Sequence, residues 1–322
     1  MAKTDTYTTV MHYGIATFMN RPVINCDAEE IKANGVKAAV LGYPYDYTTV
    51  GRTGATLGPR RIRDNSNLYL PYNMQYDVDI VDTYNIMDVG DVMVKIGHTY
   101  DTLLRTKDSV LEILKAGAMP VMIGGEHSIT IGPALAFEEF TPNANYGFIN
   151  IDSHLDTAVD VDGDPYTHSS PVARVVETKV FNPKNSVIIG ACAATNPVPE
   201  VEYAKEKGIT VFQMKDVYEQ GIVEIAKKAV EIASDGTDGV YITFDMDALE
   251  ACYTPGTGAP TPGGLTTREV LQAIDVFGQV DLIGFDVCEV APAYDHSDIS
   301  AITAGSFAAN MLASRARYLD KK

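Results

Sequence analysis

Short runs of apolar, β-prone residues recur along the chain at residues 36–41, 119–123, 146–151, 186–189, 209–212, 240–244 and 280–285, and most of them lack apolar–polar alternation. A strand without alternation is buried on both faces, the condition of a parallel sheet covered by helices. Helical periodicity fills the intervals, notably at residues 102–116, 223–233, 267–277 and 301–318. In the first of these, apolar residues fall at 103, 104, 110, 111, 113 and 114, and Gly117 follows as a stop signal. Strands alternating with helices predict an α/β fold, a three-layer α/β/α arrangement around a mostly parallel sheet.

No Pro/Gly/Ser-rich linker, long charge run or fixed-period repeat divides the 322 residues, so a single domain over residues 1–322 is expected, with about the first 35 as an N-terminal extension. A formal net charge of -18 argues against nonspecific nucleic-acid binding, which needs a basic face to displace counterions. Residues 1–18 show no basic and apolar leader pattern, and no apolar stretch approaches the ~20 residues that cross a bilayer. A cytoplasmic protein without a membrane partner is therefore expected. Cys26, Cys192, Cys252 and Cys288 show no Cys-x-x-Cys spacing and read as free thiols in or near the core, Cys252 and Cys288 as packing residues.

The chemistry crowds at the ends of three of these runs. Asp152, His154 and Asp156 follow residues 146–151, Asp245 and Asp247 follow residues 240–244, and His127 follows residues 119–123. Ligands of open parallel sheets gather beyond the carboxyl ends of the strands, so these groups converge in one cleft. Alternate residues of an extended segment share a side, which lets Asp152, His154 and Asp156 face it together. One Asp at a strand end is an ordinary turn cap. Several carboxylates in one place repel unless cations hold them, and a mixed set of oxygen and imidazole ligands suits a divalent first-row metal. Six groups are too many for one catalytic ion with an open position; two ions sharing bridging carboxylates use them all.

The motif order resembles a known family. Gly124-Gly125-Glu126-His127-Ser128, Asp152-Ser153-His154-Leu155-Asp156, Asp245-Met246-Asp247, Pro255-Gly256-Thr257-Gly258, Pro262-Gly263-Gly264-Leu265 and Gly284-Phe285-Asp286-Val287-Cys288-Glu289-Val290-Ala291-Pro292 look like the ureohydrolases, the arginase and agmatinase superfamily. Gly42-Tyr43-Pro44-Tyr45-Asp46 and the segment from Gly54 to Arg63 bring it closer to the agmatinase branch, and the likeness runs from about residue 38 to 315. It implies an arginase/deacetylase-like fold and two divalent ions, Mn or Ni. His127, Asp152, Asp156 and Asp245 would hold one ion, and His154, Asp152, Asp245 and Asp247 the other. It further implies that Asp156 steers the attacking hydroxide, that Glu289 pairs with the guanidinium, and that His168 relays a proton to the leaving amine. The products would be urea, or a substituted urea, and an amine. Trimers or hexamers are the implied assemblies, with a homologous second subunit as a further partner.

Departures from the family pattern bear on the substrate. Residues 157–167 lack the Asn and Ser pattern with which arginases hold arginine, which disfavours arginine. Ser153 and Leu155 replace the usual alanine and threonine, Ser169 replaces the glycine after the histidine, and Glu250-Ala251-Cys252-Tyr253-Thr254-Pro255-Gly256 departs from Asp-Pro-x-x-Ala-Pro-Gly. Groups behind the ligands tune a metal, so a nickel-dependent hydrolase of guanidine or of an N-alkylated guanidine or biguanide such as metformin is the alternative to agmatine, beside guanidino acids. The zinc deacetylases of the same fold use adjacent histidines, which are absent here, and the Gly-Asn-His-Glu/Asp segment of metallophosphoesterases is missing. A non-catalytic metal-binding partner subunit is the reading from another class. His296 lies close enough after Glu289 to reach the cleft mouth; His12 and His98 carry no motif.

Overall fold

A computed structural model describes residues 14–319. Strands β1 (Ala38–Tyr43), β4 (Met87–Asp91), β5 (Met119–Gly124), β6 (Tyr146–Ile151), β7 (Phe181–Ala191), β8 (Thr210–Gln213), β9 (Gly239–Asp245) and β10 (Leu282–Cys288) form one eight-stranded sheet in the order β4-β1-β5-β10-β9-β6-β7-β8. Every pairing within it is parallel. A small antiparallel hairpin joins β2 (Tyr72–Asn73) and β3 (Val78–Asp79) outside the main sheet.

Successive side chains of the inner strands point into two different cores. Val40, Val121, Ile123, Ile149, Ile242 and Phe285 pack on one face of the sheet. Leu41, Met122, Phe148 and Tyr241 pack on the other. Both cores exclude water, which is why these strands read as unbroken apolar runs; each such side chain contributes about 1.5–3 kcal/mol on burial. Helices Ile222–Ser234, Thr267–Phe277 and Ile299–Leu319 cover the first face, and Thr99–Lys115, Ile131–Phe140 and Pro171–Glu177 cover the second. The three layers expected from the sequence are present.

Local chemistry explains the helix ends. Thr266 and Glu269 form a reciprocal capping box at the start of Thr267–Phe277. At the end of Thr99–Lys115, Gly117 adopts φ +77°, Ala118 N–H donates to Ile113 O and Gly117 N–H to Leu114 O, a Schellman closure that needs the left-handed glycine.

The edge strand β4 has no counterpart among the apolar runs, because Asp88, Gly90 and Asp91 give it the composition of a turn. Arg63, from helix Gly58–Ser66, makes it a strand: its Nε and Nη2 meet the two Asp88 carboxylate oxygens at 2.7 and 2.9 Å, and its Nη1 meets Asp91 at 2.6 Å. Both Arg63 and Asp88 are buried. Within the first 35 residues, Phe18, Met19 and Ile31 are also buried, and the Phe18 N–H donates to Asp88. No described helix is long and apolar enough to cross a membrane.

Candidate metal centre

The sheet order sets what can meet. β5, β10, β9 and β6 are the four central neighbours, and their carboxyl ends carry His127, Glu289, Asp245 and Asp152 respectively. Asp156 and Glu289 sit at φ +50° and +60°, a left-handed backbone that side-chain-bearing residues seldom adopt and that gathers at functional sites. Gly125 lets the β5 end approach residues 43–45, since a Cβ there would lie 2.3 Å from Tyr45 O and 2.4 Å from Tyr43 O.

All six groups expected to be ligands come together. The Nδ1 of His127 lies 3.3 Å from Asp152 Oδ2, 2.8 Å from Asp156 Oδ2 and 3.1 Å from Asp245 Oδ2. The Nδ1 of His154 lies 3.5 Å from Asp152 Oδ1 and 3.2 Å from Asp247 Oδ2. Two carboxylate–imidazole donor groups result, His127 with Asp152, Asp156 and Asp245, and His154 with Asp152 and Asp247, while the Cys288 thiol makes a third with His127 and Asp245. Asp152 belongs to the first two and offers a different oxygen to each, the geometry of a bridge. Asp245 is not in the His154 group; its Oδ1 accepts the Asp247 N–H at 2.7 Å.

The residues fit a cation for a specific reason. Thr243 donates its hydroxyl to Asp286 at 2.5 Å, so its oxygen accepts from His127 Nε2 at 3.0 Å, and the Nδ1 of the neutral ring keeps a lone pair. That lone pair is buried, faces three carboxylate oxygens and has no hydrogen-bond partner. Only a proton or a metal ion relieves such an arrangement. Without cations the cluster must hold protons instead. Burial and the neighbouring Asp152 push Asp156 up to about 6, and burial with Asp247 and Asp152 raises Asp245 well above the carboxylate range. Burial opposes charge on His127 and His154, yet the carboxylates around them raise both.

His168 and Glu289 also meet, with Nδ1 of one 3.2 Å from Oε1 of the other, and Glu289 Oε1 accepts the His127 N–H at 2.9 Å. His168 lines the cleft, a cavity of about 260 Å³, together with Asp156, His154, Asp245 and Asp247, whereas Glu289 does not line it and is 2% exposed. A larger hollow of about 470 Å³ beside it, at Cys192 and Lys205, contains none of the ligand groups.

Sequence reasoning missed several participants. Glu200, in helix Val198–Lys207, lines the cleft and is pushed up to about 7 by burial and the Asp156 charge. It carries no local signal, because a glutamate at a helix start reads as an ordinary solvated residue. Thr243 and Asp286 behind His127 were detectable as polar residues inside apolar strands. Cys252 is exposed, which corrects the expectation of a packed thiol; its loop is too short of apolar neighbours to bury it. Cys288 is buried, its Sγ 3.9 Å from Asp245, and burial holds it as a thiol. His98 is exposed beside Asp101, His296 is exposed and does not line the cleft, and His12 lies outside the described residues.

Comparison with known proteins agrees with this geometry. The family model described as Arginase family matches residues 36–313. Proclavaminate amidinohydrolase of Streptomyces clavuligerus is 32% identical over 98% of both chains, and its solved structure superposes with a TM-score of 0.87 over 96% of this chain and 99% of that one. The agmatinase of Bacillus subtilis is 32% identical over 85% of this chain and 90% of its own length, and the guanidinobutyrase of Pseudomonas aeruginosa 29% over 93% and 92%. With the sheet order, the strand ends that carry the candidate ligands and these matches in agreement, the chain belongs to the arginase family and is a metal-dependent amidinohydrolase.

Proposed function

We propose that the chain hydrolyses a guanidino compound lacking a carboxylate, releasing urea or a substituted urea and an amine, with agmatine the leading candidate. The lining of the cleft carries this reading. Glu200 stands there with the carboxylates and imidazoles of the centre, and among the described residues no lysine or arginine lines it. A flat guanidinium and a cationic tail complement such a wall, whereas the carboxylate of a guanidino acid would face Glu200 with no lysine or arginine among the described residues to pair with it. Relatives named for agmatine and for guanidinobutyrate match about equally well, so the lining is the better guide.

In this reading His127, Asp152, Asp156 and Asp245 would hold one divalent ion, and Asp152, His154 and Asp247 would hold the second. The donor set suits Mn or Ni equally. When bound, the ions supply an acidified water and a Lewis acid. Asp156 accepts a hydrogen bond from the attacking water and orients it. Glu289, held just behind the cleft wall by the His127 N–H and His168, would balance the charge of the guanidinium. His168 delivers a proton to the departing amine.

The test is urea or alkylurea release from agmatine, 4-guanidinobutyrate, guanidine and metformin by Mn-loaded and Ni-loaded protein. Agmatine is expected to exceed guanidinobutyrate in kcat/KM by at least about tenfold, the equivalent of ~1.4 kcal/mol. A preference for the acid would overturn the substrate assignment. No release from any of the four with either ion would overturn the hydrolase reading and favour a metal-binding partner subunit.

A further inference from the structure

Glu126 is fully buried one residue before His127, and the chemistry above does not use it. Its Oε1 accepts the hydroxyls of Thr48 at 2.5 Å and Ser128 at 2.7 Å. Its Oε2 accepts the Thr48 N–H at 2.8 Å and the Thr49 hydroxyl at 3.3 Å. The other end of the same loop is tied by Arg52, whose Nη2 donates to Thr257 O at 2.6 Å and whose guanidinium lies 4.3 Å from the centre of the Tyr294 ring. Residues 48–52 are therefore anchored at both ends.

His168 is clasped between. Its N–H donates to Thr48 Oγ1 at 2.9 Å, and the Val50 N–H points at its Nε2 from 2.9 Å. A backbone N–H only donates, so Nε2 carries a lone pair and the ring proton resides on Nδ1, facing Glu289 Oε1. Exchanging the ring's nitrogens and carbons would forfeit both bonds, which settles the ring orientation.

We propose that Glu126 and Thr48 are positioning residues which, through the Val50 amide, hold His168 as the neutral Nδ1–H tautomer and make it the donor that orients Glu289. This deepens the hydrolase reading and rests on it for the role of Glu289. Burial opposes charge on His168, but Glu289, Asp156 and Glu126 push it up to about 9, so the ring would take a second proton at pH 7 were Nε2 free to hold one. A second proton on Nε2 would face the Val50 N–H directly, so the ring charges only when residues 48–52 release it.

The experiment is ¹⁵N NMR of histidine-labelled, zinc-loaded protein, with His168→Gln identifying the signal. The wild type is expected to show His168 neutral at pH 7 with its proton on Nδ1. Thr48→Val, which deletes the hydroxyl tie to Glu126 and to His168, should move the tautomer ratio about tenfold towards Nε2–H, the worth of one hydrogen bond, and Thr48→Ser should restore it. If Thr48→Val does not fold, Val50→Pro removes the amide donor itself and carries the same expectation. An Nε2–H or doubly protonated ring in the wild type, or a tautomer indifferent to these substitutions, would overturn the proposal. No turnover is needed: a wrong tautomer sinks this inference alone, and a silent guanidine panel with the stated tautomer sinks the hydrolase reading alone.

Discussion

At the scale of single residues, the centre consists of charges that cannot stay buried together unaided. Asp152 spans the two donor groups and Asp245 packs against His127, so deleting either carboxylate dismantles more than one ligand contact. Asp245→Ala is expected to abolish tight binding of two ions per chain, read by elemental analysis, along with turnover; undiminished metal content would contradict the bridging assignment. Glu200 makes a graded prediction. Being pushed up to about 7, it is largely neutral at pH 6 and ionised at pH 8. Bound cations offset the Asp156 charge that helps to raise it, so in the loaded enzyme the KM for agmatine should rise as pH falls below about 7, and Glu200→Gln should flatten that dependence at a uniformly higher KM. A wild-type KM independent of pH across this window would remove Glu200 from substrate recognition. The candidate ligands were legible in the sequence, since each follows an apolar run by a few residues. Glu200 was not, because it reaches the cleft through the packing of a helix rather than through any strand-end position.

At the scale of elements, the buried runs and the helices between them were readable from periodicity, and helix Thr267–Phe277 starts and stops where its cap and pattern place it. The edge strand β4 was not readable. Its aspartates belong in a strand only because Arg63, 25 residues earlier in the chain than Asp88, supplies the countercharge. Arg63→Met keeps the bulk and strands Asp88 in the interior, which costs about 3–5 kcal/mol. Chemical denaturation should show a loss of that order, and the paired change Arg63→Met with Asp88→Leu should recover much of it. A single-variant loss below ~1 kcal/mol would mean that the pair is not what holds this edge.

At the scale of the whole molecule, the metal and the fold are linked through protons. In stripped protein, folded Asp156 titrates near 6 rather than 3.8, so between those values the folded state binds more protons than the unfolded one. Stability then falls as pH rises through that window. The raised His127 and His154 act in the same direction, since their contribution is present below the usual imidazole value and is lost at higher pH. Metal binding has the opposite sign, because the ligands must shed protons to coordinate. The Tm difference between metal-loaded and chelator-treated protein should therefore widen from pH 6 to pH 8. At a metal concentration 100 times Kd the stabilisation is about 2.7 kcal/mol. A difference that narrows with rising pH would mean that the buried cluster is not the site being filled.

The sequence by itself determined which segments are buried on both faces and which of them end in carboxylates and imidazoles, because burial and turn chemistry are written in spacings of a few residues. It also carried enough ordered motifs to place the chain in its family. Only the tertiary structure decided that β10 inserts between β5 and β9 and sets Glu289 beside His127, that Arg63 neutralises an edge strand, and that Val50 meets a histidine 118 residues away. Those contacts follow from the order in which strands pair and loops close over the sheet, which is settled by packing across the whole molecule and leaves no periodic trace in the chain.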